Sequence, residues 1–206
     1  MPNRPSSKRW LQRQDKDPYV RRAQAEGWRS RAVFKLIEIQ ERYRLLRPGQ
    51  TVLDLGAAPG AWSQYAKKIV GDKGRVIAVD RLEIEPLDGV EIIQGDFRAQ
   101  QTLNAILAQL ENRPLDLVMS DLAPNMSGNR SADQPKAMHL AELALDVARQ
   151  HLKTGGSSII KLFHGEGFDD FVRDARCYFD SVRVRKPEAS RARSRETYLI
   201  AKGYGL

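Results

Sequence analysis

Short apolar runs alternate with longer amphipathic stretches along this chain of 206 residues. Five apolar runs are too short for a helix and are bounded by turn residues, which predicts buried strands. They occupy residues 51–55, 75–79, 90–93, 115–119 and 157–160. Between them, apolar residues recur at helical spacing and predict helices. These run from Ser30, as a cap, to Tyr43, and over residues 61–70, 102–110, 135–152 and 168–177.

Two segments near the C-terminus, residues 181–185 and 197–201, alternate between apolar and polar positions and predict a closing antiparallel pair. Residues 123–133 are rich in Pro, Asn, Gly and Ser and predict a loop. Strands that alternate with helices are typical of an α/β protein with a mostly parallel sheet covered on both faces. We therefore predict a Rossmann-like sheet of seven strands with a C-terminal antiparallel strand, in which ligands bind beyond the carboxyl ends of the strands.

A glycine-rich turn, Asp54-Leu-Gly-Ala-Ala-Pro-Gly60, follows the first predicted strand and opens a helix. Glycine at positions 56 and 60 lets the backbone approach a ligand without an intervening Cβ. The second strand ends at Asp80, where a carboxylate can accept hydrogen bonds from both hydroxyls of a nucleoside ribose. The turn lacks the Gly-x-Gly-x-x-Gly pattern of dinucleotide-binding proteins and instead favours S-adenosylmethionine.

Carboxylates at the predicted strand ends favour the cationic amine and sulfonium of that cofactor over a diphosphate. They are Asp54, Asp80, Asp96 and Asp121. Asp96, followed by Phe97, can accept a hydrogen bond from the adenine amino group. Trp62 has two open interpretations, which are packing against the sheet and forming a wall of the cofactor pocket. The predicted cofactor-binding residues are Asp54, Gly56, Ala57, Pro59, Gly60, Trp62, Asp80, Asp96, Phe97 and Asp121.

The length predicts a single domain, residues 1–206, with a basic leader (1–16), a basic helical segment (17–48) and a catalytic core (49–206). No apolar run approaches the roughly 20 residues that span a bilayer. The only cysteine, Cys177, cannot form a disulfide within the chain or a cysteine-based zinc site. We expect a cytoplasmic monomer with no membrane association, and nothing in the sequence suggests a metal.

Positive charge is concentrated at the two ends of the chain. Residues 1–50 contain 13 Lys and Arg against 5 Asp and Glu, and residues 183–206 contain 7 against 2. The middle, residues 51–182, is acidic, with 14 against 19. Arg-rich ends favour a polyanionic partner over a merely solvated surface. The candidate residues for contact with this polyanion are Arg21, Arg22, Arg29, Arg31, Lys35, Arg191, Arg193 and Arg195.

Methylation of an alcohol needs a base within hydrogen-bond reach, because a hydroxyl is a weak acid. None of the histidines at 139, 151 and 164 falls convincingly at a predicted strand end, although the third is near one. Lys161 directly follows the fifth predicted strand. A lysine can act as a base when desolvation and a neighbouring cation favour its neutral form.

Four motifs resemble the RrmJ/FtsJ (RlmE) family of ribosomal RNA methyltransferases. They are Asp54-Leu-Gly-Ala-Ala-Pro-Gly-Ala-Trp-Ser63, Ser120-Asp-Leu-Ala-Pro-Asn-Met-Ser-Gly128, Ile160-Lys-Leu-Phe163 and Ser190-Arg-Ala-Arg-Ser-Arg-Glu-Thr-Tyr198. The similarity extends from about Asp17 to the C-terminus. It implies an S-adenosylmethionine-dependent methyltransferase fold and a Lys-Asp-Lys-Glu catalytic set. That set falls on Lys35, Asp121, Lys161 and Glu196.

The resemblance also implies a substrate and a role for each residue. The expected reaction is in-line 2′-O-methylation of a uridine in the peptidyl-transferase-centre A-loop of 23S rRNA, within the large (50S) ribosomal subunit. Lys161 would be the general base, held by Asp121, which also orients the methyl donor. Lys35 would contact the RNA, and Glu196 would position the lysines or the ribose.

Each of the four residues also has a purely structural interpretation, such as a pairing of Lys161 with Glu166. Three rival functions are open. The first is a 2′-O-methyltransferase acting on tRNA or a messenger cap, which shares the four-residue set. The second is a nicotinamide-dependent oxidoreductase, against which the missing glycine pattern counts. The third is a non-catalytic RNA-binding ribosome assembly factor, against which the intact catalytic set counts.

Overall fold

The computed structural model describes residues 17–205, and the statements below concern that part of the chain. The strands are β1 (Thr51–Leu55), β2 (Arg75–Asp80), β3 (Val90–Gln94), β4 (Leu115–Ser120), β5 (Leu152–Phe163), β6 (Phe179–Arg185) and β7 (Glu196–Tyr204). The helices are α1 (Pro18–Ala25), α2 (Val33–Tyr43), α3 (Ala61–Val70), α4 (Gln100–Leu110), α5 (Arg130–His151) and α6 (Phe168–Ala175). The predicted basic leader, residues 1–16, lies outside the described residues.

The seven strands form one sheet in the order β3-β2-β1-β4-β5-β7-β6. Strands β1 to β5 pair in parallel, whereas β7 lies antiparallel between β5 and β6. The predicted mostly parallel sheet of seven strands with a C-terminal antiparallel strand is therefore confirmed. The strand order reverses between β1 and β4, and ligands of such sheets bind beyond the carboxyl ends of the strands at this point.

Alternate residues of each strand pack on opposite faces of the sheet, because successive side chains of a strand point in opposite directions. On one face, Leu36 of α2 and Ala66 of α3 pack in one cluster with Val52, Met119 and Ile159. We call this face the α2 face. Helices α4, α5 and α6 cover the other face in a second, larger apolar cluster. Helix α1 packs against the start of α2 in a smaller cluster. The helices therefore cover both faces, as predicted.

The start of α5 differs from its prediction. The helix begins at Arg130 instead of Pro135, so the predicted loop over residues 123–133 ends earlier. The reason is a cap that the pattern did not reveal, since the side chain of Asn129 accepts a hydrogen bond from the Ser131 N–H at 3.2 Å. Pro135 lies inside the helix.

Several further boundaries differ from the predictions, and β5 begins at Leu152 instead of residue 157. Strand β5 extends to Phe163, because its carboxyl end pairs with β7 through Phe163 and Glu196. Lys161 therefore lies within the strand and does not follow it. Helix α2 begins at Val33, and Ser30 caps the preceding turn by accepting the Ala32 N–H at 3.2 Å. None of the helices within residues 17–205 is long and apolar enough to cross a membrane.

Candidate active site

The four residues of the predicted catalytic set meet on the α2 face, at the carboxyl end of the parallel strands. Asp121 follows β4, and Lys161 and Glu196 occupy neighbouring strands at this end of the sheet. Ile159 packs on the α2 face, and Lys161 lies two residues further along β5. The two side chains therefore point to the same face of the sheet. Lys35 comes from the first half of α2, which lies over this face. The fold thus brings together residues that are far apart in the sequence.

Two short ion pairs organise these four side chains. The Lys161 Nζ lies 2.8 Å from the Asp121 Oδ1 and also donates a hydrogen bond to the Asp121 carbonyl oxygen at 2.9 Å. The Lys35 Nζ lies 2.6 Å from the Glu196 Oε1. The Lys161 side chain is only 8% exposed, against 18% for Asp121. The sequence left open a pairing of Lys161 with Glu166, but in the structure Lys161 pairs with Asp121.

Tyr198 belongs to this site although sequence reasoning did not include it among the catalytic residues. It lies opposite Lys161 in the β5–β7 register, and its hydroxyl donates a hydrogen bond to the Asp121 Oδ1 at 2.5 Å. Its position two residues after Glu196 on a strand was the available signal, because such residues share a face. Burial first, and then the charges of Asp121 and Glu196, raises the pKa of Tyr198 well above its usual value. Tyr198 is therefore a neutral donor and not a base.

Asp121 is the carboxylate that both Lys161 and Tyr198 contact. Burial alone would raise its pKa, but the charges of Lys161 and Lys35 oppose this, and hydrogen bonds from Lys161 and Tyr198 add to their effect. The net result is a pKa of Asp121 below its usual value. Asp121 is thus a carboxylate at neutral pH, and it can hold a cation on one side while facing the adjacent cleft on the other.

That cleft, of about 590 Å³, opens beyond the carboxyl ends of β1, β2, β3 and β4. Its size lies within the range of small-molecule sites. Apolar walls and a few carboxylates line it, as expected for a site that holds a nucleoside. The lining includes Gly56, Val79, Asp80, Leu82, Asp96, Phe97, Asp121, Leu122, Lys136, His139 and Leu140. Because Asp121 belongs both to this lining and to the Lys161 pair, the cleft and the catalytic set are continuous.

Asp80 and Asp96 reach the cleft as predicted. Backbone N–H groups of Ala58 (2.9 Å) and Leu82 (2.8 Å) each hold one carboxylate oxygen of Asp80. Asp96 is bound by Arg98, whose Nε lies 2.8 Å from the Asp96 Oδ1. This hydrogen bonding to Arg98 lowers the pKa of Asp96 to about 2. Both aspartates are therefore fixed acceptors on the cleft surface.

The glycine-rich turn forms the base of the cleft. Gly56 has φ +77°, and a Cβ there would lie 2.8 Å from a side-chain carbon of Leu122. Glycine therefore allows the turn to pack against the residue that follows Asp121. Ala57 and Gly60 are buried, while Pro59 is exposed and follows a cis peptide bond. None of these last three is among the residues that line the cleft.

Asp54 and Trp62, both predicted to bind the cofactor, lie below the cleft and not on its surface. Asp54 is fully buried and accepts a hydrogen bond from the Ser63 hydroxyl at 2.6 Å. The Trp62 indole donates to the Ala32 carbonyl oxygen at 2.8 Å, and its ring centroid lies 5.6 Å from that of Tyr198. Trp62 therefore packs against the sheet, which is the first of its two interpretations, and does not form a wall of the cleft.

Asp54 gives a prediction on the pH dependence of folding. Burial first, and then the charges of Asp121 and Asp80, raises the pKa of Asp54 to about 7. A raised pKa in the folded state means that neutral Asp54 favours folding at low pH, and that this contribution is lost as the pH rises from about 4 to about 7. Asp54→Asn should flatten this decline and increase the free energy of unfolding at pH 8, by about 1.4 kcal/mol for each pKa unit of the shift.

Urea denaturation at several pH values measures this effect, with Asp72→Asn as the control. Asp72 is an exposed carboxylate in the turn after α3, so its removal should leave the pH dependence as it is. A decline in stability that persists unchanged in Asp54→Asn would assign the decline to another group.

Several predicted RNA-binding arginines have partners within the protein. Arg29 donates to the carbonyl oxygens of Pro59 (3.0 Å), Glu85 (2.6 Å) and Pro86 (2.7 Å). It thereby ties the segment after β2 to the glycine-rich turn. These contacts hold the Arg29 guanidinium group against the glycine-rich turn, so Arg29 has a structural role there.

Arg31 and Arg195 are also held within the protein. Arg31 pairs with Asp17 at 2.8 Å and donates to the Ala189 carbonyl oxygen. Arg195 donates to the His164 carbonyl oxygen at 2.9 Å. The exposed arginines of the predicted set are Arg21, Arg22, Arg191 and Arg193. Of these, Arg22 pairs with Glu26 at 2.6 Å.

The strand order and the cleft beyond β1, β2 and β4 define the class of protein, which is an α/β methyltransferase fold. A solved structure described as a ribosomal RNA methyltransferase from Plasmodium falciparum superposes with a TM-score of 0.78 at 27% identity. The match covers 86% of this chain and 98% of that chain.

Comparison with known sequences gives the family. The FtsJ-like methyltransferase family matches residues 28–204. The chain is 59% identical to the ribosomal RNA large subunit methyltransferase E of Alkalilimnicola ehrlichii over 98% of this chain and 97% of that protein. It is 58% identical to the protein of the same name from Stenotrophomonas maltophilia, over 96% and 94%. The chain belongs to the FtsJ-like methyltransferase family, which implies a methyl donor.

Proposed function

We propose that this protein transfers a methyl group from S-adenosylmethionine to the ribose 2′-hydroxyl of a uridine in large-subunit ribosomal RNA. The observation that carries this proposal is the buried Lys161–Asp121 pair, whose Asp121 also lines the cleft. It places an amine that can accept a proton beside the wall of a nucleoside-sized site. Relatives that match nearly the whole chain are named for large-subunit ribosomal RNA, which supports the substrate class.

The cleft fits S-adenosylmethionine by the chemistry of its donors. Asp80 would accept hydrogen bonds from the ribose hydroxyls, and Asp96 from the adenine amino group. Leu82 and Phe97 supply apolar surface, and the Asp121 carboxylate favours a cationic group beside it. When bound, S-adenosylmethionine supplies an electrophilic methyl group on a sulfonium. Asp54, fully buried below the turn, has no direct access to this ligand.

In the proposed mechanism, the neutral Lys161 amine would accept the proton of the RNA 2′-hydroxyl as that oxygen takes the methyl group, and the demethylated cofactor, S-adenosylhomocysteine, would leave. Asp121 holds the Lys161 Nζ in place, and the Tyr198 hydroxyl donates to the same carboxylate oxygen. Lys35 and Glu196 form the second pair beside the buried Tyr198 and position the incoming ribose and its phosphates. Closure by the RNA would exclude water and favour the neutral form of the base.

The proposal is tested by transfer of labelled methyl from S-adenosylmethionine to large ribosomal subunits from cells that lack this methylation. We expect the label on one ribose 2′-oxygen, in the A-loop of 23S rRNA. Parallel reactions with naked 23S rRNA, tRNA and small subunits define the substrate. Label on a base, or on tRNA alone, would contradict the proposed substrate. Normal cofactor binding without transfer to any RNA would favour the non-catalytic assembly factor.

The N-terminal helix α1 provides a prediction about RNA binding. Arg21 is exposed and lies on this short helix, which packs against the start of α2, the helix that carries Lys35. Arg21→Glu should weaken RNA binding and flatten its salt dependence, because a protein cation that neutralises a phosphate releases counterions. The affinity for S-adenosylmethionine should not change. Equilibrium binding at several salt concentrations measures both effects, and an unchanged RNA affinity would remove α1 from the RNA surface.

A further inference from the structure

The connection between β6 and β7, residues 186–195, is a basic loop that the catalytic mechanism does not use. It contains four Lys and Arg residues and a single Glu. We refer to it as the β6–β7 loop. The side chains of Arg191 and Arg193 are exposed. Neither forms an ion pair with any carboxylate of residues 17–205. These two cations are therefore available to an external anion.

The start of the β6–β7 loop is fastened to α2 by Glu38. Its two carboxylate oxygens accept the backbone N–H groups of Glu188 (2.6 Å) and Ala189 (2.8 Å). Arg31 donates to the Ala189 carbonyl oxygen. The Ala189 side chain is fully buried in the cluster that contains Val33. The loop is thus anchored by both polar and apolar contacts at one point.

The rest of the loop is braced from inside and at its end. Lys186 donates to the carbonyl oxygens of Ala192 (3.1 Å) and Ser194 (2.7 Å), which closes the loop on itself. Its end continues directly into Glu196, which pairs with Lys35 of α2. Internal and terminal contacts together leave Arg191 and Arg193 on a loop of defined shape.

Both anchors come from one side of one helix. Lys35 and Glu38 are three residues apart on α2, so their side chains lie on the same face of the helix. Lys35 anchors Glu196, the residue that follows the loop. Glu38 anchors Glu188 and Ala189, near the beginning of the loop. A rigid connection therefore joins the exposed arginines to the helix that carries a catalytic residue.

We propose that the β6–β7 loop is a pre-organised binding surface for the phosphate backbone of the substrate RNA. Arg191 and Arg193 are its phosphate contacts, and Glu38 is a positioning residue that acts through the loop. The inference rests on the proposed function, which supplies the RNA. Arginine suits this task because its planar guanidinium donates paired hydrogen bonds to phosphate. A loop that is ordered before binding loses less conformational entropy when the RNA docks.

The first test is the salt dependence of equilibrium binding to unmethylated large ribosomal subunits. The double variant Arg191→Gln/Arg193→Gln should lower the slope of log affinity against log salt by about 1.4 to 1.8, since each phosphate contact contributes about 0.7–0.9. The matched control is Arg173→Gln/Arg176→Gln, which removes two exposed arginines at the end of α6. The control should leave the slope unchanged, and both variants should keep the wild-type affinity for S-adenosylmethionine.

The second test separates Glu38 from a merely structural residue. Glu38→Ala should weaken RNA binding by about tenfold, because the loop loses two charge-assisted hydrogen bonds and must be ordered by the RNA. The salt slope should remain that of the wild type, since both arginines are present. Trypsin should cleave faster after Arg191 and Arg193 in this variant. In the Arg191→Gln/Arg193→Gln background, Glu38→Ala should have much less effect on RNA affinity.

The outcomes distinguish this inference from the proposed function. Equal effects of Glu38→Ala in both backgrounds, or an unchanged slope in the double arginine variant, would overturn the loop assignment while leaving the methyltransferase intact. Binding of tRNA instead of large subunits would overturn the proposed substrate, and the same variants measured with tRNA would then support or overturn the loop. A wild-type protein that binds no RNA would overturn both.

Discussion

Lys161→Ala should reduce the rate of methyl transfer at neutral pH by about 10²–10⁴-fold, the usual contribution of a positioned general base. Lys161 lies beside the cleft and is not among the residues that line it, so the affinity for S-adenosylmethionine should change little. Single-turnover methylation of large ribosomal subunits measures the rate, and equilibrium binding measures the cofactor affinity.

The alanine variant alone is an incomplete test, because Lys161 is buried and paired with Asp121. Removal of one partner of such a pair costs about 3–5 kcal/mol, so a loss of activity could reflect unfolding. Lys161→Arg is the decisive control. A guanidinium keeps a positive charge beside Asp121, yet it does not deprotonate within the working pH range and cannot serve as a base. Wild-type activity in a folded Lys161→Arg protein would contradict the assignment of Lys161 as the base.

The position of the candidate site could be predicted from the sequence because short apolar runs end at polar residues. Asp80 follows this rule, since it closes β2 and faces the cleft. Lys161 occupies the same edge of the sheet for a different reason, because β5 runs beyond its apolar run to pair with β7. The edge was thus correctly identified even where the boundary of the strand was wrong. Parallel strands carry their carboxyl ends to one edge, whatever their exact lengths.

The partners of individual side chains could not be predicted in this way. Arg29 and Arg31 fit the pattern of an RNA-binding surface, yet backbone carbonyl groups from other parts of the chain occupy both. Charge along the sequence does not reveal whether a guanidinium points to solvent or to a carbonyl oxygen. Asp54 is a comparable case, because a carboxylate next to a glycine-rich turn gave no sign that the strand would bury it completely.

Asp121→Asn should reduce the rate of methyl transfer by about 10²–10³-fold, because a base displaced by as little as about 1 Å loses about 10²-fold. Asparagine keeps the shape of the side chain but removes the charge that holds the Lys161 Nζ at 2.8 Å. The same change leaves Lys161 without its counter-charge in a largely buried site. We therefore also expect a loss of folding free energy on the order of 3 kcal/mol at neutral pH.

The pH dependence of this loss identifies its cause. The charges of Lys161 and Lys35, working against burial, hold the pKa of Asp121 below its usual value in the folded protein. Its carboxylate therefore stabilises the fold above the unfolded pKa of about 3.8, and this contribution is lost as the pH falls through the lower folded value. Wild type and Asp121→Asn should thus differ most at neutral pH and converge in acid. A difference that stays constant across this range would assign the loss to packing.

Tyr198→Phe provides the graded comparison for Asp121. It removes one hydrogen bond to the carboxylate and keeps all four charges, so it should cost only about 1.5 kcal/mol of stability. The rate should fall less than in Asp121→Asn, because the Lys161–Asp121 pair remains. If Tyr198→Phe lost as much activity as Asp121→Asn, orientation of the carboxylate would matter more than its charge, and the proposed role of Asp121 as the electrostatic anchor of Lys161 would be wrong.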